Sequence, residues 1–219
     1  MNILITGMPG SGKGTMSERI RSEFDVVHVS SGDLFRDNVA NDTPVGHIAK
    51  IYMDAGQLVP DEVTIEMVHE RIKEIDDQTG ILLDGFPRTI VQAIVFEEQE
   101  EELNRELDVV LNLIIDENLL LKRITGRRIC PTCGAIYNVY NQPPKVEGIC
   151  DVEGSKLYQR SDDTEEAFNV RMEQYRALTQ PMLDYYQKRG ILKEVEARGS
   201  IDDVWNQIKL ILEDLNGSH

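Results

Sequence analysis

A glycine-rich segment containing one lysine lies near the start of the sequence and directly follows an apolar run. It reads Gly7-Met8-Pro9-Gly10-Ser11-Gly12-Lys13-Gly14-Thr15. When a strand runs into such a turn and then a helix, free backbone N–H groups and the positive end of the helix dipole converge on one anion. Lys13 adds a mobile positive charge. The segment therefore predicts a phosphate-binding loop, with candidate contacts at Gly10, Ser11, Gly12, Lys13, Gly14 and Thr15.

This loop departs at one position from the common pattern G-x-x-x-x-G-K-[ST]. Gly14 stands where a hydroxyl residue normally binds magnesium, and Thr15 follows one residue later. The ion is therefore expected to be held mainly by phosphates, water and a remote carboxylate. The alternative is a glycine-rich turn without a ligand, which the position between strand and helix disfavours.

A candidate for that carboxylate is Asp84, which ends the apolar strand at residues 80–84. The ends of parallel strands open onto the ligand crevice, so an aspartate there suits the magnesium side of a phosphate loop. Phe86 and Pro87 follow, and both are also consistent with a role in shaping the turn. Arg88, taken alone, is equally consistent with a surface charge.

The three cysteines of the chain lie in one polar segment rich in glycine and proline. Cys130, Cys133, Cys150 and Glu153 have a C-x2-C…C-x2-E spacing, which puts three thiolates and a carboxylate on two tight turns able to meet around tetrahedral zinc. Such a closed site is structural rather than catalytic. A reduced, metal-free cluster and a redox pair at Cys130 and Cys133 are the alternatives. The fourth ligand stays open, because Asp151 is adjacent and water could serve.

Strands alternate with helices along most of the chain. The predicted strands lie near residues 2–6, 26–29, 81–84, 109–115 and 191–195. This order predicts an α/β P-loop fold of three layers, with a five-stranded parallel sheet flanked by helices. The polar segment at about residues 127–164 is expected to form a small zinc-ribbon-like insertion.

Several helix starts are predicted from capping residues. Ser31 or Asp33 is a candidate cap for the helix that follows the second strand. Thr43 is expected to cap a helix with Pro44 at its first position, and Asp61 to cap the helix after that.

Composition limits the classes of protein that fit. A chain of 219 residues with 41% apolar and 28% charged residues suits a soluble protein with one large domain and insertions, or two small ones. No apolar run approaches the length of a membrane span, and no signal peptide is recognisable, so we expect a cytoplasmic protein. The net charge of −16 argues against a nucleic acid partner. Cations must then be concentrated locally around any nucleotide.

Together these segments resemble the adenylate kinase family in its long bacterial form, which has a zinc-binding lid. The resemblance covers essentially all 219 residues. Besides the glycine loop and the cysteine insert, it rests on S-S-G-D-L-F-R at 30–36, L-L-D-G-F-P-R-T-I-V-Q at 82–92, G-R-R at 126–128, Y-Q-R-S-D-D at 158–163, and Arg171.

This resemblance implies reversible transfer of the terminal phosphoryl group of magnesium-ATP to AMP, which gives two ADP, under a closing lid. It implies a core of residues 1–29, 60–126 and 165–219, a monophosphate-binding segment of residues 30–59 and a lid of residues 127–164. The expected partners are the nucleotides ATP, AMP and ADP, without nucleic acid or membrane. The expected cofactors are Mg²⁺ with ATP and a structural Zn²⁺, and the expected state is a monomer.

The resemblance also implies roles for residues at matching positions. The ATP subsite would comprise the loop residues 10–15 with Arg123, Arg127, Tyr137, Gly199 and Ser200. The AMP subsite would comprise Ser31, Arg36, Leu58, Val59, Gly85, Arg88, Gln92, Arg160 and Arg171. The catalytic set would be Lys13, Asp84, Arg88, Arg123, Arg127, Arg160 and Arg171. Asp33 and Asp84 would orient magnesium through water.

Some positions depart from the family pattern. Ser31 replaces the usual threonine and keeps its hydroxyl, so a slight effect is expected. Glu153 replaces the usual aspartate and is one methylene longer, which bears on metal affinity and geometry. Tyr137 is consistent either with stacking on a base or with packing inside the insert.

Two other functions compete with the leading one. A kinase of another monophosphate, or one that uses GTP, would share most of these motifs. Gln92 favours adenine as the acceptor base, because its amide matches the donor and acceptor on that base edge. A zinc ribbon that binds nucleic acid and uses the loop for regulation is disfavoured by the acidic balance.

Overall fold

A computed structural model describes residues 1–103 and 105–217. Its strands are β1 (Asn2–Gly7), β2 (Val26–Ser30), β3 (Gly80–Asp84), β4 (Val109–Ile114), β5 (Arg127–Ile129), β6 (Ile136–Asn138) and β7 (Leu192–Glu196). Its helices are α1 (Lys13–Glu23), α2 (Ser31–Ala40), α3 (Pro44–Asp54), α4 (Asp61–Lys73), α5 (Ile90–Leu103), α6 (Glu117–Thr125), α7 (Glu165–Gln174), α8 (Gln180–Arg189) and α9 (Ile201–Gly217). A π-helical turn (Tyr175–Thr179) joins α7 to α8.

The predicted five-stranded parallel sheet is confirmed. Its strand order is β2-β3-β1-β4-β7, with β1 at the centre. Leu4 of β1 lies opposite Leu83 of β3 and Val110 of β4, and all three side chains are fully buried. Strands covered on both faces need nearly continuous apolar sequence, which β1, β3 and β4 provide. Parallel pairing brings the carboxyl ends of β1, β2 and β3 to one edge.

Alternation along β1 separates two cores. Ile3 and Ile5 pack with α1 and α9, whose contributions include Ile20 and Trp205. Leu4 points to the opposite face and packs among buried residues of α4, α5 and α8. Successive strand side chains face opposite ways, so one short strand holds helices against both faces of the sheet.

Two inserted segments have small apolar clusters of their own. Phe35, Ala49 and Val59 form one between residues 30 and 59. Cys130, Tyr137, Cys150 and Leu157 form the other, beside the antiparallel pair of β5 and β6. In the described part of the chain, no helix has both the length and the apolar character needed to cross a bilayer.

Two of the capping predictions are wrong. Ser30 caps α2, since its Oγ accepts a hydrogen bond from the Asp33 N–H at 3.2 Å, and neither Ser31 nor Asp33 is the cap. The helix begins directly after β2, which moves the cap back by one residue. Pro60 occupies the cap position of α4, and Asp61 is the first helical residue. The cap at Thr43 is confirmed, because its Oγ1 accepts from the Gly46 N–H at 3.0 Å.

Candidate active site

A cleft of about 1120 Å³ opens at the carboxyl ends of β1, β2 and β3. This volume lies just above the range of about 300–1,000 Å³ that is usual for a small-ligand site, so the cleft is a large one. All the residues that the sequence predicts for the two nucleotide subsites line it. They come from segments far apart in sequence, and the parallel sheet brings them to one edge.

The glycine loop forms the floor of the cleft between β1 and α1. Gly10 and Gly12 have φ values of 84° and 104°, which favour glycine. The Oγ of Ser11 is buried and has no hydrogen-bond partner among the described residues. Lys13 Nζ donates to the carbonyl oxygens of Gly7 at 2.8 Å and Met8 at 3.3 Å. The start of α1, an ammonium group and an unsatisfied hydroxyl therefore form an anion site.

Lys13 and Asp84 form the charged centre of this floor. Burial lowers the pKa of Lys13 from 10.5 to about 8, against the opposing effect of the Asp84 charge. Burial alone would raise the pKa of Asp84, but the neighbouring His28 ring and the charge of Lys13 outweigh it and lower that pKa. The His28 Nε2 lies 3.5 Å from Asp84 Oδ2, and Ser17 Oγ donates to the same oxygen at 3.3 Å. Asp84 is therefore ionised at neutral pH.

Arg88 lies across the glycine that follows Asp84. Its Nε donates to the Gly85 carbonyl oxygen at 2.7 Å, and Ser31 Oγ donates to the same oxygen at 2.6 Å. A Cβ on Gly85 would lie 2.4 Å from Arg88 Nη2, and the Gly85 φ is 76°. The positive φ favours glycine at this position, and a Cβ there would crowd the Arg88 guanidinium.

Arginines from the lid and from α7 converge above the loop. Burial, followed by repulsion from neighbouring arginines, lowers the pKa of Arg171 to about 9 and that of Arg160 to about 10. Arg171 pairs with Asp162, and Arg127 Nε donates to Asp163 Oδ2 at 2.9 Å. Cations that crowd together in a partly buried cleft are stabilised by a polyanion. The motif Y-Q-R-S-D-D contains both aspartates, but its spacing gave no sign that they pair with these arginines.

Arg36 and Arg123 complete the basic side chains of the cleft. Arg36 pairs with Asp33, and Arg160 reaches the same carboxylate at 4.0 Å. The pKa of Asp33 is lowered, since the charge and hydrogen bond of Arg36 outweigh the burial that would raise it. Arg123 Nη2 lies 3.5 Å from the Ala197 carbonyl oxygen, and burial lowers the pKa of its guanidinium.

The Gln92 side chain is 2% exposed and is held by two polar partners. Its Oε1 accepts from the Arg88 backbone N–H at 2.7 Å, and its Nε2 donates to Asp61 Oδ1 at 2.8 Å. Thr89 Oγ1 in turn accepts from the Gln92 N–H at 3.1 Å, as in a capping box at the start of α5. Sequence reasoning missed Asp61 as a partner, although the T-x-x-Q spacing could have indicated the capping.

The lid lies close over the glycine loop. A Cβ on Gly14 would lie 3.3 Å from Ile136 Cδ1, and Ser161 Oγ donates to Asp54 Oδ1 at 3.3 Å. The two inserted segments therefore meet over the cleft. Ile136, which the sequence reasoning missed, points toward the loop. Neighbouring side chains of β6 face opposite sides, so Tyr137 points away from the loop. Its ring packs inside the lid, and 8% of the residue is exposed. Its contact with a nucleotide stays a prediction.

Gly199 and Ser200 form part of the cleft wall before α9. Ser200 N and Oγ donate to Asp203 Oδ2 at 2.9 and 2.7 Å, and these bonds lower the pKa of that carboxyl. The serine is thus fixed at the start of a helix. Its part in ATP binding stays a prediction.

The three cysteines come together in the lid as free thiols. The Sγ atoms of Cys130, Cys133 and Cys150 lie within 4.8 Å of one another. A hydrogen bond from the Tyr137 hydroxyl is the main cause that lowers the pKa of Cys150 to about 6. Three converging sulfurs fit a zinc site. Among the described residues, neither Glu153 nor Asp151 belongs to the group, and Asp151 Oδ1 accepts from the Lys145 N–H at 2.9 Å. The fourth ligand stays a prediction.

A glycine-rich anion site between the first strand and helix of a parallel sheet, with a strand-end carboxylate beside its lysine, defines a P-loop nucleotide-binding protein. Comparison with known proteins narrows this class. The family profile described as Adenylate kinase matches residues 5–191. The chain belongs to the adenylate kinase family, and it is a nucleoside monophosphate kinase.

Similar proteins align over nearly the whole chain. An adenylate kinase of Carboxydothermus hydrogenoformans is 50% identical over 213 residues, which cover 97% of this chain and 100% of that protein. An adenylate kinase of Thermodesulfovibrio yellowstonii is 49% identical over 213 residues, which cover 97% of this chain and 99% of that protein. An adenylate kinase of Bacillus subtilis is 47% identical over 212 residues, which cover 97% of this chain and 98% of that protein.

Proposed function

We propose that the cleft carries out reversible phosphoryl transfer from magnesium-ATP to AMP. The observation that carries this proposal is the concentration of basic side chains in one cleft of a chain whose net charge is −16. Two nucleotides joined through a transferring phosphoryl group supply the anionic charge that such a cluster favours. The basic side chains are Lys13, Arg36, Arg88, Arg123, Arg127, Arg160 and Arg171.

ATP phosphates occupy the glycine loop in this proposal. The backbone N–H groups of residues 10–15 and the ammonium of Lys13 bind them, and the phosphates replace the loop carbonyls as partners of Lys13 Nζ. Asp84 and Asp33 would hold magnesium through water, which fits the ionised state of both carboxylates. The bound ion would neutralise part of the phosphate charge.

The acceptor occupies the opposite end of the cleft. Arg36 and Arg88 bind the AMP phosphate, and Gln92 contacts the adenine. Ser31, Leu58 and Val59 line the pocket around that base. This places the AMP phosphate beside Gly85, where the backbone leaves space for the Arg88 guanidinium.

Arg123, Arg127, Arg160 and Arg171 surround the transferring group. Phosphoryl transfer needs little covalent chemistry from a protein, so positioning and charge stabilisation dominate the rate. The aspartates that pair with Arg127 and Arg171 hold these guanidinium groups in place. No side chain has to form a bond to the phosphorus atom.

We also propose that the chain divides into the core of residues 1–29, 60–126 and 165–219 and two parts that move, residues 30–59 and 127–164. Separate apolar clusters in the two inserted segments support this division. Closure over the nucleotides excludes water and so prevents loss of the phosphoryl group to hydrolysis.

The acceptor is tested with a panel of monophosphates. With magnesium and ATP, we expect ADP formation with AMP and little or none when CMP, UMP or GMP replaces it, measured as initial rates. Equal rates with another base would contradict the placement of adenine against Gln92. Lack of transfer to every monophosphate would contradict the whole proposal, and would favour the use of the loop for binding alone.

Zinc bound by Cys130, Cys133 and Cys150 stabilises the lid in this proposal, with Glu153 as the fourth ligand. The insert has only a small core, so a structural metal contributes much of its folding free energy.

Removal of the metal should therefore lower the melting temperature of the lid. Prolonged chelation, or Cys150→Ser, is expected to lower it by several degrees, measured by calorimetry with metal content determined in parallel. Val146→Ala, at an exposed lid residue outside the cysteine group, serves as the control. An unchanged melting curve in the chelated protein would refute a structural metal. Glu153→Gln tests the fourth ligand separately, by metal retention.

The protein is further proposed to be a cytoplasmic monomer. Three free thiols in one chain are consistent with a reducing compartment. The high net charge favours solubility and disfavours self-association. Sedimentation at several protein concentrations tests the oligomeric state.

A further inference from the structure

We propose that Asp61 is a positioning residue that sets the base specificity of the acceptor subsite. Its carboxylate fixes the orientation of the Gln92 amide, so that this amide accepts a 6-aminopurine and rejects a 6-oxopurine. The inference rests on the proposed function, in which Gln92 contacts the base of AMP.

The two partners of Gln92 have opposite hydrogen-bonding roles, since one accepts from its amide and the other donates to it. The Asp61 carboxylate only accepts hydrogen bonds and holds Nε2 at 2.8 Å, whereas the Arg88 backbone N–H only donates and holds Oε1 at 2.7 Å. A flipped amide would set oxygen against carboxylate and NH₂ against N–H. Since Gln92 is 2% exposed, water cannot compensate for these losses. The orientation of the amide is therefore fixed.

One N–H and one lone pair of the Gln92 amide remain for a ligand. Adenine offers a 6-amino donor next to the N1 acceptor, which matches the fixed amide. Hypoxanthine and guanine offer a 6-oxo acceptor next to an N1–H donor, which is the reverse pattern. An amide free to turn would bind either edge, so discrimination depends on what prevents the turn.

Asp61 is itself held by two residues at the start of α5. Its Oδ2 accepts from Thr89 Oγ1 at 3.1 Å, while its Oδ1 accepts from Gln92. Asp61 is the first residue of α4, and Thr89 directly precedes α5. An acidic residue at the start of a helix also interacts favourably with the helix dipole. Glu62 also lies in the first turn of α4 and is exposed. A variant at Glu62 therefore tests the interaction with the helix dipole separately from the contact with Gln92.

Asp61→Asn is the direct test, because asparagine has the same size and can present either oxygen or NH₂ to Gln92. We expect the ratio of kcat/KM for AMP to kcat/KM for IMP to fall by about tenfold or more. A general loss of structure would lower both values together and leave the ratio unchanged. IMP is the probe because it differs from AMP at the base edge that the amide contacts and lacks the 2-amino group of GMP.

Three further variants make the outcome decisive. Glu62→Gln should leave the ratio unchanged. Asp61→Ala removes the acceptor altogether and should also lower the ratio, so it replaces Asp61→Asn if that protein does not fold. Gln92→Leu should lower the ratio by removing the amide, and adding Asp61→Asn to it should lower the ratio no further.

The results distinguish the role of Asp61 from that of Gln92. If Gln92→Leu lowers the AMP to IMP ratio but folded Asp61→Asn and Asp61→Ala keep the wild-type value, the role of Asp61 is overturned and that of Gln92 stands. If Gln92→Leu itself leaves the ratio unchanged, the placement of the AMP base is overturned, and the inference with it.

Discussion

Replacement of Lys13 by alanine should lower kcat by about 10²–10³-fold, the loss usual for one preorganised donor to developing charge. Lys13 Nζ donates to the carbonyl oxygens of Gly7 and Met8, and burial lowers its pKa to about 8. With that pKa the ammonium is mostly charged at pH 7, and phosphates at this position would stabilise the charged form further. Its removal therefore costs charge stabilisation and the hydrogen bonds to Gly7 and Met8, while the two apolar cores lose no side chain.

The measurement is steady-state ADP formation with saturating AMP, together with thermal unfolding. Lys209→Ala is the matched control, because Lys209 forms an exposed pair with Glu23 on α1 and contributes little to stability. Full activity in Lys13→Ala would refute the role of this lysine. A collapsed melting transition would instead assign the side chain to the fold.

Arg88→Ala is expected to have an effect at least as large, about 10³–10⁵-fold on kcat/KM for AMP. The guanidinium lies across Gly85 at the proposed AMP phosphate. Burial lowers its pKa, and the charge of Arg36 lowers it further, against the opposing effect of Asp84. Removal of one crowded cation relieves repulsion, so the free energy of unfolding should not fall much.

Arg88→Lys should recover only a small part of the lost activity, since lysine keeps the charge but not the planar pair of donors. Arg71→Ala is the control, because Arg71 pairs with Glu74 at the surface of α4. Wild-type kcat/KM in Arg88→Ala would show that this arginine lies outside the acceptor subsite.

The fold could be predicted where local sequence pattern decides it. The start of α1 directly after the glycine turn and the strand at residues 80–84 agree with the sequence, because a glycine turn begins one and a continuous apolar run defines the other. The caps of α2 and α4 were not predictable to the residue. Which hydroxyl or carboxylate faces a free N–H depends on where the preceding strand or loop ends, and the sheet decides that.

Pro181 interrupts helical hydrogen bonding, and the sequence alone does not give the form of that interruption. The structure has a π-helical turn at Tyr175–Thr179 just before α8, where Pro181 lies near the start. Proline lacks an N–H and disturbs the preceding turn, but several local rearrangements satisfy that constraint.

Polar contacts between residues far apart in the chain could not be predicted from the sequence. Arg105 is 2% exposed, and its guanidinium donates to the carbonyl oxygens of Ile75 at 3.1 Å and Asp76 at 2.8 Å. Asp61 meets Gln92, and His28 meets Asp84, through pairings that only the folded chain creates. Motifs indicate which residue types gather at the site, whereas the side chains that hold them in place come from other elements and follow no fixed spacing.

The fate of the transferred group tests the central claim most directly. The protein would be mixed with magnesium, AMP and ATP labelled in the terminal phosphoryl group, and the label followed into ADP and inorganic phosphate. We predict that the label passes to ADP as ATP is consumed, with only a trace in inorganic phosphate. Release of the label as inorganic phosphate in step with ATP loss, with AMP unconsumed, would contradict direct transfer within a closed cleft.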